Sequence, residues 1–151
     1  MRVLKSKSGR SASASGGMEW CSRVLVASPI HYGLCTSELT FRRELKRLGL
    51  HDPPDWPDES SEAEMMEFET EGGGSVIIVC VPPNKNMNDL TATLVHEAVH
   101  IWQRIKEYIS EKEPSPEFEA YSIESIFKSL RAAYVAQRGK KSGTVSKRKQ
   151  H

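Results

Sequence analysis

A chain of 151 residues, 38% of them hydrophobic and 27% charged, has room for one domain whose core is large enough to fold without staples. No run approaches the ~20 apolar residues that a membrane-spanning helix requires, so no membrane contact is expected. The net charge of +1 hides a division: all 20 acidic residues lie between positions 18 and 137 against 11 basic ones, leaving that stretch near −9, while residues 1–17 and 138–151 carry only basic charge.

The amino terminus brings Arg2, Lys5, Lys7 and Arg10, but Ser-Ala-Ser-Ala-Ser-Gly-Gly follows where a signal peptide would carry its apolar stretch, so no secretory leader is expected. Residues 1–17 are low in complexity and read as a disordered basic tail, with Met18 as an alternative start. Cys21, Cys35 and Cys80 are odd in number and form no C-x-x-C spacing. That usage points to free thiols in a reducing, cytoplasmic compartment.

Arg23 to Ala27 reads as a short strand stopped by Ser28-Pro29, and His31 falls in a turn-like stretch. Thr36 or Ser37 can cap a helix in which Glu38 suits the first turn, Leu39, Leu45 and Leu48 recur at helical spacing, and Gly49 supplies the stop. The proline-rich run from His51 to Asp58 cannot continue that helix. The acids from Asp52 to Glu71 lack the oxygen-ligand spacing of a calcium loop and read as a solvated segment.

Met66 to Thr70 and Ser75 to Val81 then predict two strands joined through Gly72-Gly73-Gly74 as an antiparallel hairpin. Asn88 or Asp89 caps a helix running to about Tyr108. Ser115-Pro116-Glu117 opens a last helix that runs to about Gln137, ahead of Gly139 and a second basic tail. The expected fold class is α+β, a small antiparallel-containing sheet packed on two long helices. The expected organisation is a domain over 18–137 between disordered tails at 1–17 and 138–151. There is no internal repeat.

The chemistry concentrates in His96-Glu97-Ala98-Val99-His100. Two histidines four apart on a helix project from one face about one turn apart, so both rings can reach one zinc ion at ~2.0–2.1 Å. Glu97 lies roughly 100° further round and can reach a metal-activated water without being a ligand. Thr93, Leu94, Ala98, Val99, Ile101 and Trp102 are uncharged, which places the motif in a largely buried helix, with Leu94, Val95, Ala98, Val99, Ile101, Trp102 and Ile105 toward the core.

The segment Thr93-Leu94-Val95-His96-Glu97-Ala98-Val99-His100-Ile101-Trp102 resembles the active-site helix of the zincin metallopeptidases. The resemblance covers about residues 66–135. Within it, the strand from Ser75 to Val81 matches the edge strand that in that superfamily pairs with extended substrate. A downstream Glu119-Ala120 pair on a second helix is similar to the gluzincin branch, where that glutamate is the third zinc ligand. The compact size resembles small phage- and prophage-associated zincin-like proteins, which implies a host cytoplasm. No histidine at metzincin spacing follows His100, since only His151 remains.

A physical reason also favours Glu119: Ile123, Ile126, Leu130 and Ala133 follow it at helical steps, so it heads a core-directed stripe where a carboxylate needs a partner or a metal. Glu124 is the weaker ligand candidate and suits a hydrogen-bond acceptor behind a ligand histidine. Tyr121, Tyr32 and His31 are candidates for an oxyanion donor, against the blander readings of Tyr121 as core and His31 as a solvated loop residue. Cys35 reads as a small packing residue and Trp102 as core.

The residues by themselves imply attack by zinc-activated water with Glu97 as base. Hydrolysis of a peptide or protein substrate follows from the resemblance. Two alternatives stay open: a non-catalytic zinc-binding structural or assembly protein of a phage-like particle, and a nucleic-acid-associated protein whose basic tails make weak, salt-sensitive contacts. Oligomeric state has no signal in the sequence.

Overall fold

The most apolar run of the chain, Ser75 to Cys80, has all six positions buried, and the rest of the fold is arranged around it. The computed structural model describes residues 3–4, 18–21, 30–71, 74–82 and 86–142. In chain order the elements are β1 (Val3–Leu4), β2 (Glu19–Trp20), β3 (Ile30–Cys35), α1 (Glu38–Arg47), β4 (Glu64–Thr70), β5 (Ser75–Cys80), α2 (Met87–Tyr108) and α3 (Pro116–Ser142). The architecture is α+β, with one sheet in the order β1-β4-β5-β3-β2.

β5 pairs antiparallel with β4, from Glu64↔Cys80 to Glu69↔Ser75, as the hairpin reading expects. On its other side it pairs parallel with β3, from Ile30↔Ser75 to Cys35↔Cys80. A strand paired on both edges and covered on both faces is continuously apolar rather than alternating, and Val-Ile-Ile-Val is such a sequence. Ile77, Val79 and Val81 face one cluster with Ile30, Tyr32 and Leu34, capped by Leu90, Leu94, Ala98, Ile101 and Trp102 of α2 and Ile126 and Leu130 of α3. Val76, Ile78 and Cys80 face the opposite cluster, with Met66, Phe68 and Phe41 and Leu45 of α1. The sheet is therefore covered by the two long helices on one face and by α1 on the other.

Several boundaries differ from the sequence reading. His31 lies in β3 rather than in a turn, because Ile30, Tyr32 and Leu34 alternate toward the core. Leu39 is exposed, while Leu45 is buried as expected and Phe41 joins it. The cap of α2 is Asn86, whose side chain accepts from the backbone N–H groups of Asn88 and Asp89 at 3.0 Å each. Val3–Leu4 pairs with β4 at Glu69 and Thr70, inside the stretch expected to be a disordered tail, because extended backbone there completes main-chain hydrogen bonds with that strand. α3 continues five residues beyond Gln137, through Gly139 to Ser142. The strand expected over Arg23 to Ala27 lies outside the described residues. Among the described residues, no helix is long and apolar enough to cross a membrane.

Two polar details hold the layers in register. Gln137 is buried, donates to Leu34 O at 2.8 Å and accepts from Thr36 N at 3.2 Å, tying α3 to the end of β3. Gly33 sits where β2 crosses closest: a Cβ there would lie 2.8 Å from Glu19 O and 2.9 Å from Met18 Cε. Replacing Gly33 by alanine must push β2 away from β3. Gly33→Ala is expected to lower unfolding free energy by about 1–3 kcal/mol, read as a lower urea midpoint at unchanged slope. An unchanged midpoint would show that β2 contributes nothing to stability.

Candidate metal centre

Asn86 caps α2, Asp89 sits in its first turn and Lys106 in its last, so both helix ends carry the charge the helix dipole favours. Leu90, Leu94, Ala98, Ile101, Trp102 and Ile105 bury one side of it. His96 and His100 come out on a flank away from that stripe, His96 exposed and His100 half-buried. Val95, expected toward the core, is exposed as well.

The two histidines meet through their outer nitrogens. His96 Nε2 and His100 Nε2 are 3.0 Å apart, with ring centroids at 4.6 Å and planes crossed at 81°. Two nitrogens bound to one tetrahedral zinc at ~2.0–2.1 Å are about 3.3 Å apart, so the pair fits a shared ion after a shift of a few tenths of an ångström. His100 Nδ1 lies 3.1 Å from Gln103 Oε1. In the tautomer that carries its proton on Nδ1, His100 donates to that amide oxygen and presents Nε2 as an acceptor.

Glu97, between the two histidines in sequence, is only 6% exposed. Burial raises its carboxyl above the ordinary value, the nearby charge of Glu64 adds to that, and His96 and His100 pull in the opposite direction. A carboxylate shifted upward next to two imidazoles can take a proton and return it, which is what a general base in hydrolysis must do. β4 runs beside this part of α2: Arg104 donates to Glu67 at 2.8 Å, and Ser75 and Glu107 complete a small polar network around that ion pair.

Glu119 is placed elsewhere. Its Oε1 accepts from Trp102 Nε1 at 2.9 Å and from Lys106 Nζ at 3.1 Å. Those two bonds, Trp102 first, hold its carboxyl below the usual carboxylate range. Trp102 and Lys106 lie roughly 200° and 240° round α2 from His100, so Glu119 engages the flank facing α3 rather than the histidine flank. Ile126, Leu130 and Ala133 do form the buried stripe below it, but the half-exposed carboxylate finds its partners in an indole and an ammonium. Among the described residues, no three His, Cys, Asp or Glu side chains are gathered where they could hold a metal ion.

The remaining candidates are scattered. Glu124 pairs with Lys128 at the surface, and the acceptor behind His100 is Gln103, legible in hindsight only as a polar residue three positions on. Tyr121 is 60% exposed, not core. Tyr32 is buried in β3, and burial raises its hydroxyl. His31 is exposed on β3. Cys35 is buried and donates its thiol to Ser37 O and Thr40 Oγ1 at 3.2 and 3.4 Å, as a packing residue does. Burial pushes the Cys21 thiol up to about 12 and raises Cys80 as well, which suits neither to a nucleophile's role. Trp102 is core, as expected, and its N–H also finds Glu119.

Comparison with protein-family models, curated proteins and solved structures finds no match to this chain.

The Glu119 contacts have a pH signature. Its folded carboxyl titrates below the unfolded one, so its charge contributes stability above the unfolded value of ~4.3 and loses it as pH falls through the folded value. Glu119→Gln is therefore expected to be less stable than the wild type in denaturant titrations at pH 7, with the difference shrinking below pH ~4. A difference that stays constant into acid would show that the charge of Glu119 adds nothing to folding.

Proposed function

We propose that the chain is a zinc-dependent metallopeptidase in which His96 and His100 hold the ion and Glu97 is the base. The observation that carries this reading is the His96–His100 pair, with outer nitrogens 3.0 Å apart beside a nine-tenths-buried glutamate. A zinc ion there, when bound, supplies the Lewis acidity that makes water nucleophilic near neutral pH. Gln103 fixes the His100 ring so that Nε2 faces outward. Glu97 takes the proton of the attacking water and delivers it to the departing amine. Its raised carboxyl makes both transfers accessible.

Glu119 is the proposed third ligand, and its recruitment costs the bonds it makes with Trp102 and Lys106. Water attack on an electrophile rests on the residues; a peptide bond as that electrophile rests on the resemblance of the Thr93–Trp102 helix to that of the zincins. The strand available to a peptide is not the one the sequence suggests. β5 is central and paired on both sides, so its main chain has nothing to offer a substrate. β4 has an edge that, among the described residues, only β1 touches, at Glu69 and Thr70. An extended peptide adding to the Glu64–Phe68 edge gains main-chain hydrogen bonds there.

The engagement of Glu119 by Trp102 and Lys106 favours a second reading, a non-catalytic scaffold whose histidine pair binds metal weakly. Elemental analysis of the purified chain, together with a broad peptide-cleavage assay, separates the two. The wild type is expected to hold about one zinc per chain. Glu97→Gln should keep the metal and lose about 10²–10⁴-fold in rate. His96→Ala and His100→Ala should lose both metal and activity, and Glu119→Ala much of both. A wild type without zinc sinks the proposal. Zinc at full occupancy in Glu119→Ala removes that residue from the ligand set, and zinc with no cleavage of any peptide leaves the scaffold.

A further inference from the structure

The outer side of α2 lacks the charge of a helix face exposed to water. From Leu90 to Gln103 the only charged residue is Glu97, and Glu97 is buried. Ala92, Val95, His96 and Gln103 are exposed there, with Val99 and His100 half-buried among them. These six positions follow one another round an arc of roughly 140°, opposite the stripe that packs on the sheet. A solvated helix face ordinarily carries charge, whereas the contact face of an interface is depleted of it. Val95, 42% exposed, would by itself be an ordinary surface valine. Its place in an uncharged strip beside two paired imidazoles sets it apart.

The same strip holds an incomplete ligand set. The outer nitrogens of His96 and His100 are 3.0 Å apart, close to the separation of two nitrogens on one zinc ion. A zinc ion held without a bound water takes four protein ligands. Among the described residues, no third His, Cys, Asp or Glu joins the pair. Glu119, the proposed third ligand, accepts from Trp102 and Lys106 on another flank of α2. Two positions of the ion are left over. A surface that presents two ligands is completed by a copy of itself, since a two-fold axis exchanges opposite edges of a tetrahedron.

We infer that zinc joins two copies of this chain, His96 and His100 of each supplying two of its four ligands, with the uncharged strips around Ala92 and Val99 in contact beside the metal. The inference rests on the reading of the histidine pair as the zinc site of a peptidase, and it adds a regulation of that site. Four imidazoles leave no position for water, so the bridged pair is a closed, inactive form. Zinc beyond one ion per two chains loads each copy separately and opens the site. The body of each copy is acidic, so the copies repel without the metal and pairing depends on zinc.

The test titrates zinc into the metal-free full chain and follows sedimentation velocity beside a broad peptide-cleavage assay. The sedimenting mass should double by about half an equivalent of zinc and fall back in excess zinc, with cleavage appearing only in that excess. His96→Ala and His100→Ala should stay monomeric throughout. Ala92→Lys, at an exposed helical position that accepts lysine, should keep zinc binding and weaken pairing by about tenfold through like charge across the axis. Glu119→Ala should pair as the wild type does. Zinc bound one per monomer from the first addition overturns the inference and leaves the peptidase reading standing, whereas no bound zinc overturns both. Pairing without zinc, or unchanged in Ala92→Lys, overturns the assignment to this face. Cleavage by the half-loaded pair overturns the closed form. Zinc-bridged pairs with no cleavage at any zinc level support the inference and overturn hydrolysis.

Discussion

Everything in this structure depends on the burial of β5 on both faces and both edges. Ile77, Ile78 and Val79 are fully buried, each contributing about 1.5–3 kcal/mol relative to exposure. Removing both edges and both faces of one strand from water requires β4 and β3 beside it and helices above and below. That requirement sends α1 to one face and α2 with α3 to the other. Among the described residues, the other edge of β4 is paired by β1 at Glu69 and Thr70.

The placement of α2 then sets the chemistry. Its buried stripe fixes the helix rotation, and that rotation leaves His96 exposed and His100 half-buried while Glu97 is buried. The three residues of one motif thus sit in different dielectric surroundings. The histidines stay accessible with their outer nitrogens together. The glutamate is desolvated and its carboxyl raised.

Glu119 shows a competition between two ways of satisfying one carboxylate. Heading the stripe of Ile126, Leu130 and Ala133, it needs partners, and Trp102 and Lys106 supply them on the flank where α3 packs. The Trp102 ring lies edge-on to Phe118 with centroids 5.5 Å apart, so the indole N–H is held by the same packing that joins the helices. An indole and an ammonium satisfy a half-exposed carboxylate without a metal. Any ligand role for Glu119 has to compete with those bonds.

Local pattern was enough to read the hairpin of β4 and β5, the presence of α1 and α2 and the end of α2, the start of α3 and the placing of His96, Glu97 and His100 on one helix, because turn residues and periodicity act within a few residues. The burial of Ile126, Leu130 and Ala133 was legible for the same reason. Strand order was not. The apolar run of β5 is compatible with an edge or a centre, and only its pairing with β3, more than forty residues earlier in the chain, makes it central. The partners of Glu119 and the approach of Glu64 to Glu97 depend likewise on how separate elements pack. The sequence by itself determined that two histidines and a glutamate stand at this spacing on one helix, since that is written in residue type and local pattern. The tertiary structure alone decided which of them meet, because contact across elements follows from burial and packing, which no single segment encodes.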